Sequence, residues 1–194
     1  MTGLTFDPVA HVYTWQPAPE APAVRLLSVT EILRRAGLVD TTGFTDEVRE
    51  RGTRVHQAIA FDHTGLLDEE TAADVMPWVL TWRRFVAESR FVPASWEQTV
   101  ADPIRGYAGT YDVIGAFAVL PHRSVLIDLK TGVPQPSVGA QLAAYARCVD
   151  GRPARYALYL TPERYTLTEY KDRADEPLFL AALAVATWQV AHGL

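Results

Sequence analysis

The chain has 194 residues, 48% hydrophobic and 21% charged, a composition that suits one domain with a single core and is short for two. It has no run of eighteen apolar residues, no basic stretch leading into an apolar one at its start, and one cysteine, Cys148. No membrane span, secretion signal, intrachain disulfide or cysteine-held metal cluster is therefore expected, and a reducing, cytoplasmic setting fits. The formal net charge of −5 argues mildly against a polyanionic partner, but all of the 18 basic residues except Lys130 and Lys171 are arginine, and they are clustered.

Along the chain, residues 16–23 are rich in Pro and Ala and lie between two apolar, strand-like runs, which predicts a hairpin loop. Ser28-Val29-Thr30-Glu31 ahead of Ile32-Leu33 has the form of a capping box, and Gly37 is the expected end of that helix. A second helix is expected from near Thr45 through residues 47–60, with Gly52 its weak point. A third spans about residues 69–89, with Val75, Val79, Trp82 and Val86 as a core stripe. Beyond Pro93 the pattern changes to a meander of three strands, at 95–101, 107–119 and 124–129, the last two joined at Pro121-His122. Residues 137–148 predict a helix, 155–160 a strand, 165–170 its partner or extension, and 175–191 a closing helix. The order implies an α/β or α+β layer around one mixed sheet.

The chemistry concentrates in GTYDVIG and VLIDLKTG. Asp128 and Lys130 are two apart on a predicted strand and so face one way; Leu129 faces the other, with its carbonyl beside them. Asp112 on the neighbouring strand reaches the same spot, and Gly109 and Gly115 relax the backbone around it. An Asp-x-Lys pair alone is a weak signal and reads equally as a charge pair at a sheet end. Its weight comes from its place on an apolar strand, where a carboxylate is costly to desolvate without a partner. Two carboxylates from separate elements are the oxygen ligands that a hard divalent cation needs. A lysine beside them can orient and activate a water and offset the charge that builds on a phosphate. Arg49, Arg51 and Arg54 on the second helix are candidate phosphate contacts, set against the plainer reading of a solvated surface. Neither Gly-x-Ser-x-Gly nor His-Glu-x-x-His occurs.

Taken together and in order, these segments resemble the PD-(D/E)XK nuclease superfamily, in its RecB-like and phage-type exonuclease branch. RGTRVHQAI resembles the upstream helix motif, with His56 in the place of a metal ligand; SWEQTV places Glu97 as the acid of the first core strand. GTYDVIG is similar to the motif of the first aspartate, IDLKTG to the signature in its Asp-x-Lys form, and QLAAY, with Gln141 and Tyr145, to the Gln-x-x-x-Tyr motif. FDPVAHVY followed by SVTEIL resembles the opening of phage-encoded members. Tyr111 stands where the name-giving proline would be.

The resemblance covers most of the chain and implies a restriction-endonuclease-like core, a mixed central sheet flanked by helices. Residues 1–90 would form an N-terminal hairpin and helical part, and residues 91–194 the catalytic core. It implies Mg²⁺ or Mn²⁺, one or two ions, held by His56, Asp112, Asp128 and the Leu129 carbonyl, the imidazole favouring manganese. Lys130 would act on the water, with Glu97, Gln141 and Tyr145 as further catalytic positions and Gln141 also facing DNA. The substrate implied is DNA, cut from an end, in replication, recombination or repair. With Cys148 alone there is no iron–sulfur cluster, and with no GxxxxGK loop any helicase or recombination partner would be a separate chain. Some phage-type relatives form rings, so a homo-oligomer fits. Two readings compete: an endonuclease on the same fold, and a nucleic-acid-binding module whose site has degenerated.

Overall fold

The structure is a computed structural model and describes residues 3–40 and 45–194. Strands β1 (Leu4–Asp7) and β2 (Val12–Trp15) form a short hairpin, and β3 (Val24–Ser28) pairs with β2 across the Pro/Ala loop. The chain then enters helix α1 (Val29–Arg35), whose start is set by the Ser28 hydroxyl accepting the Glu31 N–H at 3.0 Å. Only half of the expected capping box forms. The Glu31 carboxylate is instead held by Arg25 at 3.1 Å and Arg35 at 2.9 Å.

Helix α2 (Asp46–Thr64) is capped by Thr45, runs through Gly52 without a break and ends at Gly65, whose φ of 71° supplies the left-handed turn. Helix α3 (Met76–Ser89) starts later than its apolar pattern suggests. Residues 69–75 form turns, and Pro77 takes the first turn of the helix, where a missing N–H costs nothing. Strand β4 (Phe91–Asp102) begins four residues before the expected start, because a register shift between Pro93 and Ser95 accommodates the proline within the pairing. Next come β5 (Tyr107–Phe117), β6 (Val125–Lys130), α4 (Ser137–Arg147), β7 (Ala154–Leu160), β8 (Tyr165–Glu169) and α5 (Asp175–Ala191). Among the described residues no helix is long and apolar enough to cross a membrane.

The eight strands make one mixed sheet, ordered β1-β2-β3-β5-β6-β7-β8, with β4 on the other edge of β5. The β3–β5 and β6–β7 pairs are parallel and the others antiparallel. Helices cover both faces. Leu126 packs with Val29, Ile32, Leu142 and Phe179 of α1, α4 and α5, whereas Val125, Ile127 and Leu129 pack with Val55, Ile59, Val79 and Phe85 of α2 and α3. Strand alternation thus places β6 between two cores, which is why it reads as an almost continuous apolar run.

Two tight spots test this packing. A methyl group at Gly115 would stand 2.3 Å from the Val92 carbonyl oxygen and 2.6 Å from the Phe91 ring. Backbone cannot yield as a side chain does, so Gly115→Ala is expected to destabilise by about 3 kcal/mol, read as a lower urea midpoint. An unchanged midpoint would show that β4 and β5 are not this close. The second spot is Cys148, whose thiol donates to the Tyr107 hydroxyl at 3.4 Å. Burial pushes this thiol up to about 11, with the Tyr107 hydrogen bond opposing. Its alkylation at mildly alkaline pH is expected to be about a hundredfold slower than that of a free cysteine, because so little thiolate forms. The rate should keep rising as pH passes the ordinary cysteine range; a plateau there would contradict the burial.

Candidate active site

Strand β5 carries two partners on one edge. β3 pairs with it at Tyr107 and Ala108, and β6 pairs with it from Val113 to Gly115. Between them the edge is open at residues 109–112. Tyr107 and Tyr111 pack in one core and Val113 in the other, so the strand also changes its presentation there. Asp112 lies at this opening. Its Oδ2 accepts the backbone N–H of Leu129 at 2.6 Å, a donor that a continuous ladder would have used. Its Oδ1 stands 3.3 Å from His56 Nδ1, which α2 delivers.

The register puts Asp128 one step beyond the Val113–Ile127 pair, opposite Asp112, and leaves Glu97 opposite Asp112 on the other side, between the Trp96–Val113 and Gln98–Tyr111 pairs. Three acids therefore occupy one level of three adjacent strands. Glu97 stands outside the ladder in a left-handed conformation, φ 43°, which costs a non-glycine residue about 1 kcal/mol or more and clusters at functional positions.

Lys130, two residues after Asp128, has its Nζ 2.6 Å from Asp128 Oδ2, and that oxygen has no hydrogen-bond donor aligned on it beyond this ion pair. The same ammonium donates to Gln141 Oε1 at 3.0 Å, and Gln141 Nε2 donates to the Tyr145 hydroxyl at 3.2 Å. Gln141 and Tyr145 sit one turn apart on α4, which suits this relay. The Tyr145 ring lies over Gly109, where a Cβ would approach it to 2.5 Å. The glycine that the sequence suggested would relax the backbone in fact admits a side chain from across the core.

The electrostatics follow from burial and pairing. Burial and the Asp112 charge raise the Asp128 carboxyl above its ordinary range, against the pull of Lys130. Burial would raise Asp112 too, but His56, Lys130 and the Leu129 N–H hold it below the ordinary value. Burial works against charge on His56 and Lys130, yet Asp112 and Asp128 outweigh it and both are raised. Glu97 is raised by desolvation and by Asp112. This is the mutual perturbation expected where carboxylates and cations share a poorly hydrated site.

His56, Leu129, Lys130 and Gln141 line a cleft of about 600 Å³. Its other walls are His11 from the β1–β2 turn, Arg25, Thr30 and Arg34 from β3 and α1, and Thr131, Gly132, Val133 and Gln135 after β6. Of the three arginines singled out in the sequence, Arg49 shares the His56 side of α2, two turns away, and pairs with Asp46. The opposite side of the helix carries Arg51, stacked on Trp78 at 5.6 Å, and Arg54, paired with Asp74. Neither is brought to the cleft. Arg25 and Arg34 are, and Arg34 makes no ion pair among the described residues. Arg34 and Arg35 are adjacent in the sequence, which does not show which side of α1 faces the cleft.

The donor set suits a hard cation in chemistry: the buried Asp128 carboxylate, with an oxygen lacking an aligned donor, the partly buried Asp112 carboxylate, and an imidazole. Among the described residues no three His, Cys, Asp or Glu side chains stand as a ready-made cage. Asp112 is engaged by His56 and Asp128 by Lys130, so those two contacts must open for an ion to sit between the acids.

No protein-family model and no curated protein sequence matches the chain. Among solved structures it is similar to an alkaline exonuclease (LHK-Exo) from Laribacter hongkongensis, at 14% identity and a TM-score of 0.50, covering 87% of this chain and 89% of that one. A second similar structure, described as SSO0001, has 15% identity, covers 84% and 75%, and at a TM-score of 0.43 is too distant to carry an argument. The first likeness establishes a fold: a mixed α/β architecture of the kind found in that exonuclease.

Proposed function

We propose that the chain is a divalent-metal-dependent deoxyribonuclease of the PD-(D/E)XK type that cuts DNA from an end. The observation that carries this reading is the convergence of Asp112, Asp128, Lys130 and His56 at the open edge of β5, with His56 and Lys130 on the wall of one cleft and the two aspartates in contact with them from behind. Asp112 and Asp128, with His56 and the Leu129 carbonyl, would hold the metal. When bound, the ion supplies Lewis-acid polarisation of the scissile phosphate. Lys130, fixed between Asp128 and Gln141, orients the attacking water and offsets negative charge on the phosphate as the bond breaks. Tyr145 holds Gln141 in place for that task. Arg34, on the cleft wall and with no ion pair among the described residues, is the phosphate contact that the geometry favours over Arg51 and Arg54. The likeness to an alkaline exonuclease supports this reading at the level of the fold.

The test is a time course on end-labelled linear duplex and single-stranded DNA, with covalently closed circular DNA as control, in Mn²⁺, Mg²⁺ or chelator. Digestion of linear DNA with metal, and survival of the circle, is the expected result. Cutting of the circle would move the assignment to an endonuclease. Intact DNA under every condition would leave a binding module.

A further inference from the structure

Helix α5 is apolar on every side. From Pro177 to Leu194 the chain carries no Asp, Glu, Lys or Arg. One side is accounted for: Phe179, Ala182, Leu183 and Ala186 are buried in the core with residues of α1 and α4. The other side is not. Leu178, Val185 and Trp188 are 40%, 47% and 55% exposed, and Ala181 and His192 are exposed beside them. A surface helix ordinarily turns charged residues outward, so a helix apolar all round implies a second covering.

The spacing says what kind. Leu178, Ala181, Val185, Trp188 and His192 recur at intervals of three and four, a seam about 21 Å long of the sort along which two helices pack at a shallow angle. The seam is complementary to itself. Set antiparallel to a second copy about a two-fold axis at Val185, small Ala181 meets large Trp188, Leu178 meets His192, and Val185 meets its own counterpart. Trp188 is already braced for this role. Its ring stacks on His192 at 4.4 Å, and its carbonyl lies 2.8 Å from His192 Nδ1. Antiparallel packing also sets the helix dipoles favourably. The seam exposes roughly 400–500 Å² per copy, so pairing two copies removes at most about 800–1,000 Å² from water, which reaches the small end of specific interfaces. The seam has no charge to select a different partner.

We propose that the outer face of α5 is a homodimer surface, closed by a second copy of this chain packed antiparallel about Val185. It rests on α5 alone and stands whether or not the cleft cuts DNA.

The test is sedimentation equilibrium of the full chain over a range of concentrations, with variants at exposed seam positions. The wild-type mass is expected to rise from 21.5 kDa towards twice that value with concentration. Val185→Glu should stay at the monomer mass with an unchanged circular dichroism spectrum, whereas Thr187→Glu, off the seam, should still dimerise. Val185→Cys provides an independent reading, because a residue on the two-fold axis meets itself. Mild oxidation should link it into a disulfide dimer and leave Thr187→Cys unlinked, and Cys148, with its thiol raised to about 11, adds little background. A wild type that is monomeric at every concentration, a Val185→Glu dimer, or no linkage through Val185→Cys overturns the proposal.

Discussion

Lys130→Ala is expected to slow metal-dependent DNA cleavage by about a thousandfold, the scale on which removing one preorganised charge-stabilising group acts. It should also destabilise the protein. Asp128 is 3% exposed, and its ion-pair partner is Lys130 at 2.6 Å. Removing the lysine leaves a buried carboxylate uncompensated, a change that typically costs about 3–5 kcal/mol. The two effects separate in a double variant. Lys130→Met with Asp128→Asn removes both charges, and it should recover most of the lost melting temperature and none of the lost activity. Calorimetry and single-turnover cleavage at matched folded fractions would decide. If Lys130→Ala cleaves within tenfold of the wild type, the lysine has no part in the chemistry and the proposed function loses its basis.

Gly109→Ala tests the site from behind. The added methyl would lie 2.5 Å from Tyr145 Cε1 and 3.2 Å from Val29 Cγ2, so the Tyr145 ring must move. Overpacking of this kind costs about 1–3 kcal/mol. The more telling effect is on rate, because Tyr145 holds Gln141 and Gln141 holds Lys130. Cleavage is expected to fall at least tenfold with metal affinity little changed, as positioning errors of about 1 Å do elsewhere. Combining Gly109→Ala with Tyr145→Leu makes room for the methyl and should restore stability, but not rate. Wild-type melting and wild-type rate in Gly109→Ala would show that Tyr145 does not rest on this glycine.

Much of the architecture could be read before any coordinates. The hairpin loop at 16–23, the Ser28 cap, the three-strand meander and the alternation of helices and strands after it all reflect local signals: apolar period, caps and turn residues. Where expectation and structure part, a tertiary contact decides. Helix α3 starts at Met76 although its apolar stripe begins earlier, since Val75 and Ala72 are buried in the core from turns as well as they would be from a helix. Glu31 leaves the capping box half-formed, its carboxylate turned to Arg25 on β3 and to Arg35 one turn on along α1. Arg51 and Arg54 share a helix with His56, but at a spacing of five and two residues respectively they point away from it, which helical periodicity applied to them alone would have shown.

The sequence by itself determined which side chains could do chemistry here: two aspartates and a lysine in apolar strands, one glutamate, one histidine on a helix and a Gln-x-x-x-Tyr pair, because residue type and strand or helix period are local properties. Only the tertiary structure decided that these residues meet. The split edge of β5, the level at which Glu97, Asp112 and Asp128 align, and the seating of Tyr145 on Gly109 depend on strand register and on which helix covers which face. Register is a cooperative outcome of the whole sheet packing between two cores, and no single segment encodes it.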